Sequence, residues 1–178
     1  MSCEDEMRVE ELVEIILSEG ATLAPPIPID GRAPMEFTSE FAPSGVPKEE
    51  IQRQQAGIPQ DLIDFWTSHQ SARLFEDRNY GQWGLVIFSP DESASSTREF
   101  FEERRSDARV GDLVVGEFLG DSDLLLVRCD CNQEDYAEVI VALPLDPREE
   151  WYRVSKSFLN FLSSFGRCGG KKFWVDSP

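Results

Sequence analysis

The chain has 178 residues, a length that suits one domain with an extension. Its hydrophobic content of 40% is enough for a packed core and excludes a wholly disordered chain. The net charge is −17, from 34 acidic and 17 basic residues, so we expect neither nucleic-acid nor membrane binding, because phosphate groups and anionic lipids would be repelled.

The N-terminus and the cysteines indicate a cytoplasmic protein. No apolar run reaches the length of a membrane-spanning helix. The start, MSCEDEMRVEE, lacks the basic region and apolar stretch of a secretory signal. The cysteines are few and irregularly spaced, which favours a reduced, cytoplasmic setting: Cys3, Cys129, Cys131 and Cys168.

The first half of the chain predicts three helices. Apolar residues at helical spacing predict a helix over residues 5–19. Six prolines interrupt residues 21–56, so we expect a long loop or draped extension there, with a short helix near residues 48–55. The stretch IPQDLIDFWTSH predicts a second strong helix, in which Pro59 suits the first turn.

The second half alternates strands and helices. SARLFEDRNYGQ predicts a loop that can include a short strand, and WGLVIFS predicts a strand. SASSTREFFEERR predicts a helix with Ser95 or Ser96 as its N-cap. DLVVGEFL and DLLLVRCD predict two strands joined near Gly120 and Asp121, and AEVIVALP predicts another strand. SKSFLNFLSSF predicts the closing helix, followed by a tail.

The order of these elements predicts an α+β fold. Three successive strands with short links favour antiparallel pairing, and we expect the helices to pack on one face of the sheet. The strand in DLLLVRCD is apolar on both faces near its turn, so we expect it to be central.

The Cys-x-Cys pair is the first candidate for chemistry. In a strand, Cys129 and Cys131 would face one side with parallel side chains, near the upper limit of separation for a disulfide. A structural zinc would need two more ligands, and the soft candidates are Cys3, Cys168 and His69, none of them paired in sequence. We therefore predict buried or half-buried thiols and no metal.

The remaining motifs do not support an enzyme. His69 lies on the apolar face near the end of its helix, where we expect capping or packing, and no nucleophile motif accompanies it. No phosphate-binding loop or GxGxxG motif follows a strand. Acids crowd the DLLLVRCD hairpin, but acids at turns usually stay solvated and nothing marks a general acid–base pair. We predict no catalytic residue and no cofactor.

In their order and spacing, four segments resemble the SUKH superfamily, which includes Smi/Knr-type proteins. IPQDLIDFW is similar to the start of the family's Leu-Pro helix, and WGLVIFSPDE to its strand leading into the next helix. DLVVGEFLGDSDLLLVRCD is similar to its hairpin, and SFLNFL to its closing helix. The resemblance covers residues 47–165 and departs from the family at HQSARLF, where Asn-Gly is frequent.

The resemblance implies a twisted, mainly antiparallel sheet with helices packed on it. It divides the chain into an N-terminal helix and proline-rich extension (1–46), a SUKH-like domain (47–165) and a tail (166–178). It also implies a non-enzymatic role, because relatives include bacterial immunity proteins that neutralise toxin domains and fungal regulators of cell-wall synthesis and signalling. We expect a protein-binding module, either an immunity protein or, as the alternative, a regulatory scaffold of a cytoplasmic complex.

An acidic binding module would suit a basic protein partner, such as a nuclease toxin domain that presents positive charge to nucleic acid. We predict four partner-binding acids in loops: Glu76, Asp77, Asp121 and Asp123. They are flanked by aromatic residues of the kind that anchor interfaces: Phe75, Tyr80, Trp83 and Phe118. As surface acids they should contribute little to folding. The sequence leaves the oligomeric state open.

Overall fold

The structure is a computed structural model that describes residues 8–20 and 36–175. Its helices are α1 (Val9–Gly20), α2 (Lys48–Gln54), α3 (Gln60–Ser68), α4 (Pro90–Glu103) and α5 (Phe158–Arg167). Its strands are β1 (Phe37–Phe41), β2 (Ala72–Asp77), β3 (Leu85–Ile87), β4 (Asp112–Phe118), β5 (Leu124–Arg128), β6 (Val139–Ala142) and β7 (Tyr152–Ser155), with a 3₁₀ helix at Arg148–Glu150. The first turn of the predicted N-terminal helix and residues 21–35 of the proline-rich stretch lie outside the described residues. None of the described helices has both the length and the apolar character needed to cross a membrane.

The seven strands form one antiparallel sheet in which each strand pairs with the next along the chain. Short connections favour this arrangement, because a tight turn can join antiparallel neighbours whereas parallel strands need a crossover. Gly120 serves the turn after β4 with a φ of 95°, and a Cβ atom there would lie 2.3 Å from the Gln82 carbonyl oxygen. The predicted α+β, mainly antiparallel architecture is confirmed.

Helices cover both faces of the sheet, so the expectation that they pack on one face is wrong. Leu125 and Val127 of β5 point into the larger core, which α1, α3 and α5 cover. Leu126 points to the other face and packs in a smaller cluster with Phe100 of α4 and with Trp151. Strand β5 is therefore buried on both faces, as predicted for a central strand.

Helix α4 begins earlier than predicted, so neither Ser95 nor Ser96 is its N-cap. Ser89 and Glu92 form a capping box, in which the Ser89 side chain accepts from the Glu92 N–H and the Glu92 carboxylate accepts from the Ser89 N–H at 2.9 Å. Pro90 takes the first helical position, where a missing N–H removes no helical hydrogen bond. This boundary follows from the capping chemistry, which outweighs the later apolar pattern.

The sequence pattern does not indicate the two outer strands, β1 and β7. Both are short and contain no fully buried residue, so their apolar alternation is weak. The expectation of a long loop or draped extension before that short helix is therefore wrong for β1, whereas α2 confirms the short helix predicted near residues 48–55. Strand β2 is also longer than the short strand expected in its loop.

Both ends of the described chain pack against the sheet and helices. Trp174 is 8% exposed, and its ring centre lies 5.4 Å from that of Phe118 and 5.9 Å from that of Phe161. Leu12 and Ile16 of α1 are fully buried in the same cluster. The larger core thus includes parts of the predicted extension and tail, while the division of the chain at residues 47 and 165 stays a prediction.

Candidate partner-binding surface

The structure brings the four predicted acids to one end of the sheet: Glu76, Asp77, Asp121 and Asp123. The first two end β2, and the other two lie in the connection between β4 and β5. Alternate connections of an antiparallel meander lie at the same end of the sheet. The two connections also touch, because the Leu119 N–H donates to the Gly84 carbonyl oxygen at 2.9 Å. Whether these acids contact a partner stays a prediction.

Glu76 and Asp77 differ in exposure. The Glu76 carboxylate accepts hydrogen bonds of 2.6 and 2.8 Å from Arg73, and its side chain is 28% exposed. These hydrogen bonds lower the pKa of Glu76, although burial opposes them in part. Asp77 is 1% exposed, and one of its oxygens accepts from the Asn79 N–H at 3.0 Å. Glu76 is therefore accessible to a partner, whereas Asp77 shapes the turn that follows β2.

Asp121 and Asp123 share one lysine from the C-terminal segment. The Lys172 ammonium donates to Oδ2 of each aspartate at 2.6 Å and lies 5.0 Å from the centre of the Phe118 ring. The side chain of Asp121 is 61% exposed, whereas those of Asp123 and Lys172 are 9% and 14% exposed. Asp121 thus remains open to solvent, and Asp123 fastens the hairpin to the C-terminal segment. The expectation of a small role in folding does not fit Asp123.

The flanking aromatic residues mostly belong to the core. Phe75 is fully buried and Phe118 is 2% exposed, and both rings contact Phe165 of α5. Trp83 is half-buried, and its indole N–H donates to the Gly170 carbonyl oxygen at 3.2 Å. Tyr80 is 46% exposed. Of the four predicted anchors, Tyr80 is the most exposed.

A groove of about 320 Å³ beside α4 opens next to this end of the sheet. Its floor is apolar and includes the side chains of Phe100, Leu124 and Trp151. Its rim carries three carboxylates: Glu99, Glu103 and Glu117. Ser122 also lines the groove and follows Asp121 in the same turn, so the groove is continuous with the predicted acidic surface.

The three rim carboxylates leave the groove negatively charged, because none of them forms a hydrogen bond or ion pair with another residue in the described ranges. Arg104 also lines the groove, but its guanidinium already donates to Asp107 at 3.1 Å, to the Leu143 carbonyl oxygen at 3.2 Å and to the Pro144 carbonyl oxygen. Glu99 and Glu103 stand four residues apart, which places them on one helix face. This spacing is visible in the sequence and is the signal that could have identified two of the three rim carboxylates. The third, Glu117, comes from a distant strand.

The cysteines do not share the environment that the sequence predicts. Strand β5 ends at Arg128, so Cys129 and Cys131 do not continue as alternate strand residues. Cys129 is 3% exposed, and burial raises the pKa of its thiol to about 12. Cys131 and Cys168 are exposed, so the prediction of buried or half-buried thiols in the Cys-x-Cys pair is wrong for Cys131.

His69 packs at the end of α3. Its backbone N–H donates to the Phe65 carbonyl oxygen, and its Nδ1 lies 2.7 Å from the Ala42 carbonyl oxygen. Its ring centre lies 5.2 Å from that of Phe41. Residues 8–20 and 36–175 contain no group of three or more His, Cys, Asp or Glu side chains that could hold a metal ion.

Comparison with known proteins identifies the family. The family model described as "SMI1 / KNR4 family (SUKH-1)" matches residues 45–164, a range that includes α4 and both connections bearing the predicted acids. The uncharacterized protein YobM of Bacillus subtilis (strain 168) is 25% identical over 149 residues, which cover 79% of this chain and 76% of that protein. Since the family model matches more than half of its residues, the chain belongs to the SMI1/KNR4 family (SUKH-1).

Proposed function

We propose that this protein is a non-enzymatic protein-binding module, and specifically an immunity protein that binds and neutralises a basic toxin domain. The observation that carries the proposal is the acidic groove beside α4, continuous with Asp121 at the end of the β4–β5 hairpin. Membership of a family that includes immunity proteins and regulators supports a binding role. A regulatory scaffold of the Smi/Knr type is the alternative.

The groove suits an arginine or lysine side chain of a partner. Its apolar floor can cover the aliphatic stem, while the carboxylates accept hydrogen bonds from the charged head. Glu99 and Glu103 are exposed and Glu117 is half-buried, so a cation meets acids at the entrance and deeper in the groove. Asp121 extends this acidic surface along the hairpin turn.

The whole-protein charge adds steering to this local fit. A toxin domain that acts on nucleic acid must present positive charge to phosphate groups, and that surface is also complementary to carboxylates. The net charge of −17 attracts such a domain before contact and accelerates its association. Salt screens this attraction, so the association rate should fall steeply with ionic strength while the dissociation rate changes little.

The test starts with capture of partners on the immobilised protein and their identification by mass spectrometry. The groove variant is Glu99→Lys with Glu103→Lys. The control is Glu10→Lys with Glu14→Lys, an exposed pair at the same spacing on α1 and with the same change in charge. We expect the groove variant to bind the identified partner at least tenfold more weakly than the control. Equal partner affinities of the groove variant and the control, or association rates that do not change with ionic strength, would contradict the groove as the binding surface.

A growth assay separates an immunity protein from a scaffold. Expression of the captured partner alone should arrest growth, and co-expression of the wild-type protein should restore it. The groove variant should fail to restore growth, while the α1 control should succeed. A partner that leaves growth unaffected would support the regulatory scaffold and contradict the immunity role.

A further inference from the structure

A second pocket, of about 350 Å³, is lined by three arginines: Arg109, Arg148 and Arg153. It shares Trp151 with the acidic groove and also includes Ile140 and Glu149. The chain has 17 basic residues against 34 acidic ones, so three arginines at one pocket run against the overall charge. Like charges at close range repel each other, and this arrangement therefore needs compensation from the fold or from a ligand.

The fold compensates the positive charge of Arg148. Its guanidinium donates to both carboxylate oxygens of Asp112, at 2.7 and 3.0 Å, and its side chain is 9% exposed. Asp112 also accepts from Arg128 at 2.8 Å, so one fully buried carboxylate serves two arginines. The Arg148 guanidinium lies 5.1 Å from the centre of the Trp151 ring. Arg148 is therefore a fixed structural charge in the wall of the pocket.

The fold compensates the positive charges of Arg109 and Arg153 less fully. The Arg109 side chain is exposed and forms no hydrogen bond or ion pair with the residues that the structure describes. The Arg153 side chain is 63% exposed, and its contact with Glu138 is 3.3 Å long. The Glu138 side chain is 19% exposed, so the pair is partly buried, but this single long contact leaves most of the five N–H donors of the Arg153 guanidinium unpaired among the described residues. Two guanidinium groups thus remain available to a ligand, and Glu149 is the one acid that lines the pocket.

We propose that this pocket binds a small phosphate-bearing molecule, with Arg109 and Arg153 as the groups that contact its phosphate. The planar guanidinium matches two phosphate oxygens at once, so Arg109 and Arg153 can each bind the phosphate through paired, charge-assisted hydrogen bonds. Arg148 is paired with the buried Asp112, so it shapes the wall of the pocket and adds little net charge to it. The volume is near the lower end for small-molecule sites, so it suits a compact ligand.

The net charge of the chain does not prevent this binding. Interactions between exposed charges are largely screened beyond about 8 Å at physiological ionic strength, so the distant carboxylates of the chain affect the pocket less than its own three arginines and Glu149 do. Trp151 also lines the pocket, but it is 7% exposed and its ring lies against Arg104 and Arg148, so the arginine side chains supply the contacts to the ligand. The inference is independent of the proposed immunity role, because it concerns a different pocket and an anionic ligand.

The test is an NMR titration of the full chain, labelled with ¹⁵N, with inorganic phosphate or glycerol phosphate at constant ionic strength. We expect saturable shifts of the side-chain Nε–H signals of Arg109 and Arg153 and of the Trp151 indole N–H signal. Tighter binding of glycerol phosphate would identify an organic phosphate ester as the ligand type, and equal binding would identify free phosphate. Both results support the site.

Paired variants make the test specific. Arg109→Gln with Arg153→Gln should weaken phosphate binding at least tenfold. Arg98→Gln with Arg105→Gln removes the same charge from exposed arginines outside the pocket and should leave binding unchanged. Equal weakening in both variants, shifts that do not saturate, or acetate binding as tight as phosphate would overturn the proposal. Dispersed spectra of both variants confirm that each remains folded.

Discussion

Asp121 and Asp123 contact the same lysine, yet the structure predicts different energetic roles for them. The Asp123 and Lys172 side chains are 9% and 14% exposed, so Asp123→Asn leaves a poorly hydrated ammonium with one carboxylate fewer. Removing one partner of a fully buried ion pair costs about 3–5 kcal/mol. The cost should be smaller here, because Asp121 still contacts Lys172. We therefore expect Asp123→Asn to lower the free energy of unfolding by about 2 kcal/mol. Asp121 is 61% exposed, so Asp121→Asn should cost less than about 1 kcal/mol.

Urea denaturation combined with a double-mutant cycle measures this difference. Lys172→Met keeps an unbranched apolar stem of four atoms and removes the charged ammonium group. The coupling energy between positions 123 and 172 should be at least about 1 kcal/mol, and that between 121 and 172 below about 0.5 kcal/mol. Equal losses for the two asparagine variants, or no coupling at position 123, would refute the reasoning. If it holds, Asp121→Lys can test partner binding without unfolding the hairpin, whereas Asp123→Lys cannot.

Further predictions concern buried charge, pH and thiol reactivity. Asp112→Asn should lower the free energy of unfolding, measured by urea denaturation, by about 3–5 kcal/mol, because two buried arginines lose a carboxylate partner. A loss below about 1 kcal/mol would contradict this, since it would mean that the two arginines relax into solvent. The folded pKa of Glu76 is below its unfolded value of about 4.3, so its contribution to stability is present above that pH and disappears as the pH falls through the folded pKa. The difference in melting temperature between wild type and Glu76→Gln should therefore shrink below about pH 4, and a constant difference would contradict the pairing. In a Cys3→Ser variant, iodoacetamide at about pH 8 should modify the exposed Cys131 quickly and the buried Cys129 only after unfolding. Mass spectrometry measures the labelling of each cysteine. Rapid labelling of Cys129 in the folded protein would contradict its burial.

The sequence by itself determined the central elements and the fold class. Helices α3 and α5 and strands β4, β5 and β6 follow from apolar spacing, because each of these elements buries a regular set of its own side chains. Short links between successive strands implied antiparallel pairing, and that pairing brings the two acidic connections to one end of the sheet. The outer strands escaped prediction because they bury too little to leave a pattern.

Only the tertiary structure decided which charges are available to a partner. Asp123 is buried because Lys172 returns to the hairpin from 49 residues further along the chain. Glu117 joins the groove because β4 passes beside the helix that carries Glu99 and Glu103, and the arginine pocket likewise assembles from separate segments. Exposure and ion pairing depend on which distant segments meet, and periodicity within one element contains no information about those contacts.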